Sequence, residues 1–326
     1  MIKSITLLLI FFFFNLHAST SVNGTFKATQ SCPAYLSKNG KVNPDNLMVI
    51  LNQHYVIKEI NKIPPDWLRI EFPGRENALQ WVNASCGVAE YSGHNPTACD
   101  SKAGLADAYV LALSSQPGFC QTYGYEAGKP ECLKLSKTSY QANHLTLHGL
   151  WPNQLACGQH YGFCGVKPKP GHCDYNPVQL GVDVAEKLKK IMPSYYYSSC
   201  LERHEWNKHG SCQILNEDEY FSLAMRLAIE MDHTLFGQYL TEHKGETVKL
   251  VTLKKLISES LGAENVNKVA FGCKNGILVD VLVQLPALIP FDESLVSLIN
   301  KASDRKMRDL CSSLVTISNF NKLSWF

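Results

Sequence analysis

His204-Glu205-Trp206-Asn207-Lys208-His209-Gly210-Ser211-Cys212 concentrates more reactive side chains than any other part of the chain. Read as a helix that stops at Gly210, a residue suited to a helix C-terminus, it places positions 204, 205, 208 and 209 at about 0°, 100°, 40° and 140° around the axis. Two imidazoles, a carboxylate and an ammonium then share one face. Burying such a face without partners is costly, so the spacing predicts a wet cleft. Trp206 points off that face and reads as core. A second dense segment is Leu145-Thr146-Leu147-His148-Gly149-Leu150-Trp151-Pro152-Asn153. Leu145 and Leu147 alternate with His144, Thr146 and His148, which predicts a strand over 144–148.

Zinc is the first chemistry to weigh. Metalloprotease helices carry H-E-x-x-H, with both histidines one turn apart on one ion. The pattern here is H-E-x-x-x-H, with the second histidine rotated away and Lys208 beside it to repel a cation. No metal or other cofactor is expected. Acid–base chemistry suits the set better. Two histidines serve as base and acid at mildly acidic pH, and Lys208 with a protonated His204 would stabilise a negatively charged phosphorane. That inventory fits attack of a ribose 2′-hydroxyl on the adjacent phosphate.

The two segments together resemble the paired motifs of the ribonuclease T2 family, H-G-L-W-P and H-E-W-x-K-H-G-[ST]-C, both unbroken here. The likeness extends to Leu111–Cys120 and Cys157–Cys173, hence over most of residues 100–315. It implies an endoribonuclease acting on single-stranded RNA, with a 2′,3′-cyclic phosphate hydrolysed slowly to a 3′-phosphate and low base specificity. By position, His209 would take the proton from the 2′-hydroxyl and His148 would protonate the leaving 5′-oxygen. Glu205 and Lys208 would steady the phosphorane, His204 would hold the phosphate, and Trp151 would shape the pocket or stack. Two positions depart from the family pattern. Ser115 stands where members often carry Trp, and Asn153 where fungal relatives tend to carry an acidic residue, which leaves base preference open.

Outward from these motifs, strands and helices mix without a regular strand–helix repeat, which predicts an α+β fold. The resemblance implies an antiparallel sheet flanked by helices over residues 103–326. Tyr109–Leu113 reads as a buried strand, Val182–Ile191 and Glu217–Met231 as helices, and Asn275-Gly276 as a hairpin turn. Residues 22–90 read as a small β-rich module, with Leu68, Ile70 and Phe72 on one face and turns at Pro64-Pro65 and Pro73-Gly74. It is similar to an N-terminal extension on some bacterial members, implying a periplasmic or secreted enzyme. His144, His160 and His172 read as ordinary surface or core residues, and Tyr195-Tyr196-Tyr197 as packing or loop residues.

The formal net charge of +2 excludes a protein that coats nucleic acid or anionic membrane by bulk charge. The 12 cysteines, without C-x-x-C spacing, read as disulfides formed in an oxidising compartment. Cys32 and Cys86 bracket the small module, Cys120–Cys132 and Cys273–Cys311 are the preferred local pairs, and Cys212 should join Cys164 or Cys173. Residues 1–18 read as a signal peptide. Lys3 supplies a positive start, Ile5–Phe14 is apolar apart from Thr6, and Ala18 suits cleavage. That run is too short to span a bilayer, so no membrane anchor and no obligate protein partner are expected. Two rival readings come from other classes. One is a binding protein on a ribonuclease fold acting through its module, against which the intact His148, Glu205, Lys208 and His209 count. The other is a metal-dependent phosphodiesterase.

Overall fold

A computed structural model describes residues 19–38, 40, 42–43, 46–72, 75, 78–93, 99, 101–157 and 160–319. The signal peptide read over 1–18 and the turn at Pro73-Gly74 lie outside the described residues. Five strands come first: β1 (Thr20–Ala28), β2 (His54–Ile60), β3 (Trp67–Glu71), β4 (Leu79–Asn83) and β5 (Gly87–Gly93). They form one antiparallel sheet in the order β4-β3-β2-β1-β5. The alternation in β3 buries Leu68 and Ile70 beside Phe26, Ile57 and Ile60. The Cys32–Cys86 disulfide ties this sheet together, as the bracketing cysteines predict. Its last strand reaches Gly93, three residues past the expected edge of the module at 90.

The remaining strands are β6 (Ala108–Ser115), β7 (Leu145–Asn153), β8 (Thr247–Lys249), β9 (Val269–Lys274), β10 (Ile277–Pro286) and β11 (Leu314–Thr316). They assemble in the order β7-β6-β10-β11-β8, with β9 also on β10. Every pairing is antiparallel except the single Ile277–Thr316 contact between β10 and β11. The β9–β10 hairpin turns at Asn275-Gly276, both at positive φ (53° and 79°), which Asn and Gly tolerate. Helices cover the sheet. The Val182–Ile191 helix forms where its spacing predicts, and the Glu217–Asp232 helix starts in a capping box between Asn216 and Glu219. Tyr220, Phe221, Leu227 and Met231 of the latter are buried in one core with Leu111, Leu113 and Leu147 of the sheet. The fold is α+β.

The strand read over 144–148 starts one residue later and runs through the whole second motif to Asn153. Proline lacks an N–H to donate, yet Pro152 is tolerated because β7 lies at the edge of the sheet. His144 falls outside the strand. Its Nδ1 lies 2.7 Å from Asp232 Oδ2, while Asp232 Oδ1 accepts the Leu145 N–H at 2.7 Å. That buried carboxylate caps the start of β7.

Candidate active site

His148 owes its position to a bulge. Along β6 and β7, Ala112 faces Gly149 and Leu113 faces Leu147, which leaves His148 without an opposite residue. Such an extra residue bends the strand and re-aims its side chain. The ring lies between two carboxylates, with Nε2 3.7 Å from Glu205 Oε1 and Nδ1 3.6 Å from Asp280 Oδ1. Burial alone pulls its pKa down, but Asp280 and Glu205 outweigh that against Lys208, and the net shift is upward.

The other motif forms the Leu201–Lys208 helix, pinned at both ends. At its start, Cys200 takes a left-handed conformation (φ 67°) and is bonded to Cys173. Past its end, Cys212 is bonded to Cys164, which settles the choice between Cys164 and Cys173. Ser211 Oγ donates to Asn207 O at 2.7 Å and accepts the Cys164 N–H at 3.0 Å, so loop and helix are tied twice. Gly210 is not a left-handed stop. The helix has already ended at Lys208, and a Cβ at 210 would lie 2.2 Å from the Trp206 ring, so this glycine serves close packing. Trp206 packs edge-on to Tyr220, on the core side as expected.

The expected wet face is drier than its polarity suggests, with Glu205 1% and His209 8% exposed. The partner that makes this tolerable comes from β7. Trp151 Nε1 donates to Glu205 Oε2 at 2.7 Å, replacing water with a charge-assisted hydrogen bond. Trp151 also stands between the two motif histidines, edge-on to His148 (5.2 Å) and stacked on His209 (5.3 Å). Among the described residues, His209 Nδ1 is buried without a hydrogen-bond partner. Burial first, then Lys208, His204 and His148, hold the His209 pKa well below the ordinary imidazole range. The same kinds of cause lower His204 to about 4, with burial first and His172, Lys208 and His148 following. Burial raises the Glu205 carboxyl, partly offset by His148, the Trp151 hydrogen bond and Lys208. The site therefore favours a neutral His209 and a charged His148.

Two residues at this site escaped the sequence reading. His172, read there as an ordinary histidine, stacks on His204 with ring centroids 4.3 Å apart. Asp280 comes from the far strand β10, outside both motifs. Both line a cleft of about 320 Å³ beside His148, together with Phe119, Tyr123 and Lys129. The Cys120–Cys132 and Cys273–Cys311 pairs form as expected, and Cys99–Cys157 and Cys173–Cys200 complete the set. Asn153 Oδ1 accepts its neighbour's N–H, from Gln154, at 3.0 Å.

This arrangement has relatives. A family model described as the Ribonuclease T2 family matches residues 106–293, more than half of the chain. The chain belongs to the ribonuclease T2 family. It is similar to Ribonuclease I of Escherichia coli, 32% identical over 233 residues that make up 64% of this chain and 87% of that protein. A ribonuclease of Aeromonas hydrophila is 29% identical over 126 residues, 39% of this chain and 46% of that one. Among solved structures, the self-incompatibility-associated SF11-RNase of Nicotiana alata overlays with a TM-score of 0.45 at 19% identity, covering 65% of this chain and 99% of that one. As a T2-type endoribonuclease the chain takes RNA as its substrate. Among the described residues no helix is long and apolar enough to cross a membrane.

Proposed function

We propose that this T2-type enzyme cleaves single-stranded RNA without metal, by transesterification through a 2′,3′-cyclic phosphate to 3′-phosphate ends. The observation that carries the reading is the placement of two histidines on either side of Trp151, with His148 between the Glu205 and Asp280 carboxylates and His209 buried beside Lys208 and His204. A base must be neutral and an acid charged at the same pH, and the surroundings favour that division. His209 takes the 2′-hydroxyl proton and the freed oxygen attacks phosphorus. Lys208 and Glu205 steady the phosphorane while His204 holds the phosphate. His148 then protonates the departing 5′-oxygen. In the slower second step the roles reverse and water opens the cyclic ester.

Base preference is low in this reading. Phe119 and Tyr123 in the cleft offer aromatic faces, and stacking tolerates any base. A duplex would hide the bases and restrain the 2′-hydroxyl. We assign residues 103–326 as the catalytic domain, 22–90 as a β-rich module and 1–18 as a signal peptide. A periplasmic or secreted location follows from the disulfides, which persist in oxidising compartments.

The direct test incubates oxidised protein lacking residues 1–18 with single-stranded RNA in EDTA and identifies the ends. Cyclic 2′,3′-phosphate ends that disappear in His148→Ala are the expected result; cleavage that requires added metal would overturn the mechanism. A pH profile adds a second expectation. Activity falls on the acid side as His209 takes up a proton, at a pH below the ordinary histidine value of 6.5. It falls on the alkaline side as His148 loses its proton, at a pH above that value. The kcat/KM profile should thus be a bell whose limbs straddle 6.5. An acid limb surviving unchanged in a His209 variant would contradict the assignment.

A further inference from the structure

Neighbouring strands bring three side chains into a row beside the cleft: His148 on β7, Ser114 on β6 and Asp280 on β10. Ser114 and Asp280 are paired in register across β6 and β10. The bulge in β7 brings the His148 ring toward the third strand, with Nδ1 3.6 Å from Asp280 Oδ1. Ser114 Oγ donates to the same Oδ1 at 3.3 Å and helps fix the carboxylate. β10 is irregular here as well. Its pairing with β9 shifts between Leu278 and Asp280, which sets Asp280 opposite Gly272. A Cβ on Gly272 would come within 3.1 Å of the Asp280 Cβ, so a side chain there would press on the carboxylate. Asp280 is itself a third exposed and lines the cleft. Among the described residues, no lysine or arginine lies within 4.0 Å of it, and the His148 ring is its ionisable partner.

We propose that Asp280 is the positioning residue of His148, its carboxylate 3.6 Å from Nδ1 orienting the ring so that Nε2 presents the proton to the leaving oxygen. The inference rests on His148 being the general acid, as argued above. A carboxylate behind one imidazole nitrogen fixes ring orientation and favours the charged form, while Nε2, 3.7 Å from Glu205 Oε1 and beyond hydrogen-bond reach of it, can still donate to substrate. Other charged or titratable groups face this ring too: Glu205 and Lys208 on the motif helix, His204 and His209 beside them, and His172 across the cleft. Glu205 works with Asp280 in favouring the imidazolium, and Lys208 works against both. Losing Asp280 therefore leaves His148 with one carboxylate against a lysine.

Asp280→Asn is the informative variant, because the amide oxygen still accepts from Ser114 and the shape is kept. Kinetics on single-stranded RNA across pH, with an NMR titration of His148, should show kcat reduced about 10- to 100-fold, a share of the general-acid contribution. KM should change less than about twofold, since the lost interaction acts in the transition state. The alkaline limb and the His148 titration should both move about one pH unit lower. Asp280→Glu, which keeps the charge, should restore the limb toward the parent position. It also serves as the decisive variant if the asparagine form misfolds. A fall in kcat with limb and titration unmoved would mean a structural role and overturn the inference, as would an unchanged kcat. Full activity in His148→Ala would instead overturn the assignment of the acid, a separate outcome.

Discussion

Replacing His209 by alanine is expected to lower kcat by about 10²–10⁴-fold, the usual contribution of one acid–base group, with KM little changed. The same loss is expected for His148→Ala on RNA. The two variants should part company on a substrate whose leaving group is a phenolate. Such a group departs without being protonated, so the His148→Ala penalty should shrink to a small factor while the His209→Ala penalty stays whole. A reversed pattern would exchange the roles of the two residues. Because both act on the same displacement at one phosphorus, the double variant should be barely worse than either single one. Folding needs a control for His209, which is 8% exposed and stacked on Trp151. Losing that stacked pair should cost about 0.5–1.5 kcal/mol, a modest drop in Tm that leaves the sample folded. A collapse of Tm parallel to activity would mean that His209 holds the site together rather than moving a proton.

Those histidines were legible because their neighbours in sequence are their neighbours in space. The helix carrying His204, Glu205 and Lys208, with His209 at its C-cap, states its face by its period, and the strand carrying His148 and Trp151 states its own by alternation. What stayed hidden lies in the register between distant segments. Asp280 meets His148 only because β10 pairs with β6 and β7 carries a bulge. Nothing in Leu278-Val279-Asp280-Val281 announces that, beyond a single charge inside a mostly apolar strand. His172 reaches His204 because Cys173 is bonded to Cys200, a pairing that spacing alone does not select. The burial of Glu205 has the same origin. Its hydrogen-bond partner, Trp151, is fifty-four positions away in the chain. Patterning thus reveals elements and motifs, while the second contact of each functional group has to be built by tertiary packing.

Gly149→Ala is expected to damage stability and catalysis together, more than any other single methyl addition near the site. Gly149 has no need of unusual backbone angles; its role is close approach. A Cβ there would lie 1.9 Å from Glu205 Oε2 and 2.7 Å from Trp151 Nε1, inside the hydrogen bond that joins them. Glu205 has little room to retreat, because its helix is held at one end by Cys173–Cys200 and at the other by Cys164–Cys212. Overpacking of this kind costs about 1–3 kcal/mol, and breaking the buried charge-assisted bond adds about 1.5–3 kcal/mol. Together these approach half the stability of a typical domain, about 5–15 kcal/mol. Displacing Glu205 also shifts the group 3.7 Å from His148 Nε2, and a misplacement of about 1 Å can cost about 10²-fold in rate. Denaturant unfolding and kcat are the measurements. The origin of the damage is tested by repeating them in a Glu205→Asp background, where the shorter carboxylate leaves space for the methyl. There the added cost of Gly149→Ala should fall well below its cost in the parent. An equal penalty in both backgrounds would mean that the strand, rather than the Glu205–Trp151 contact, resents the methyl group.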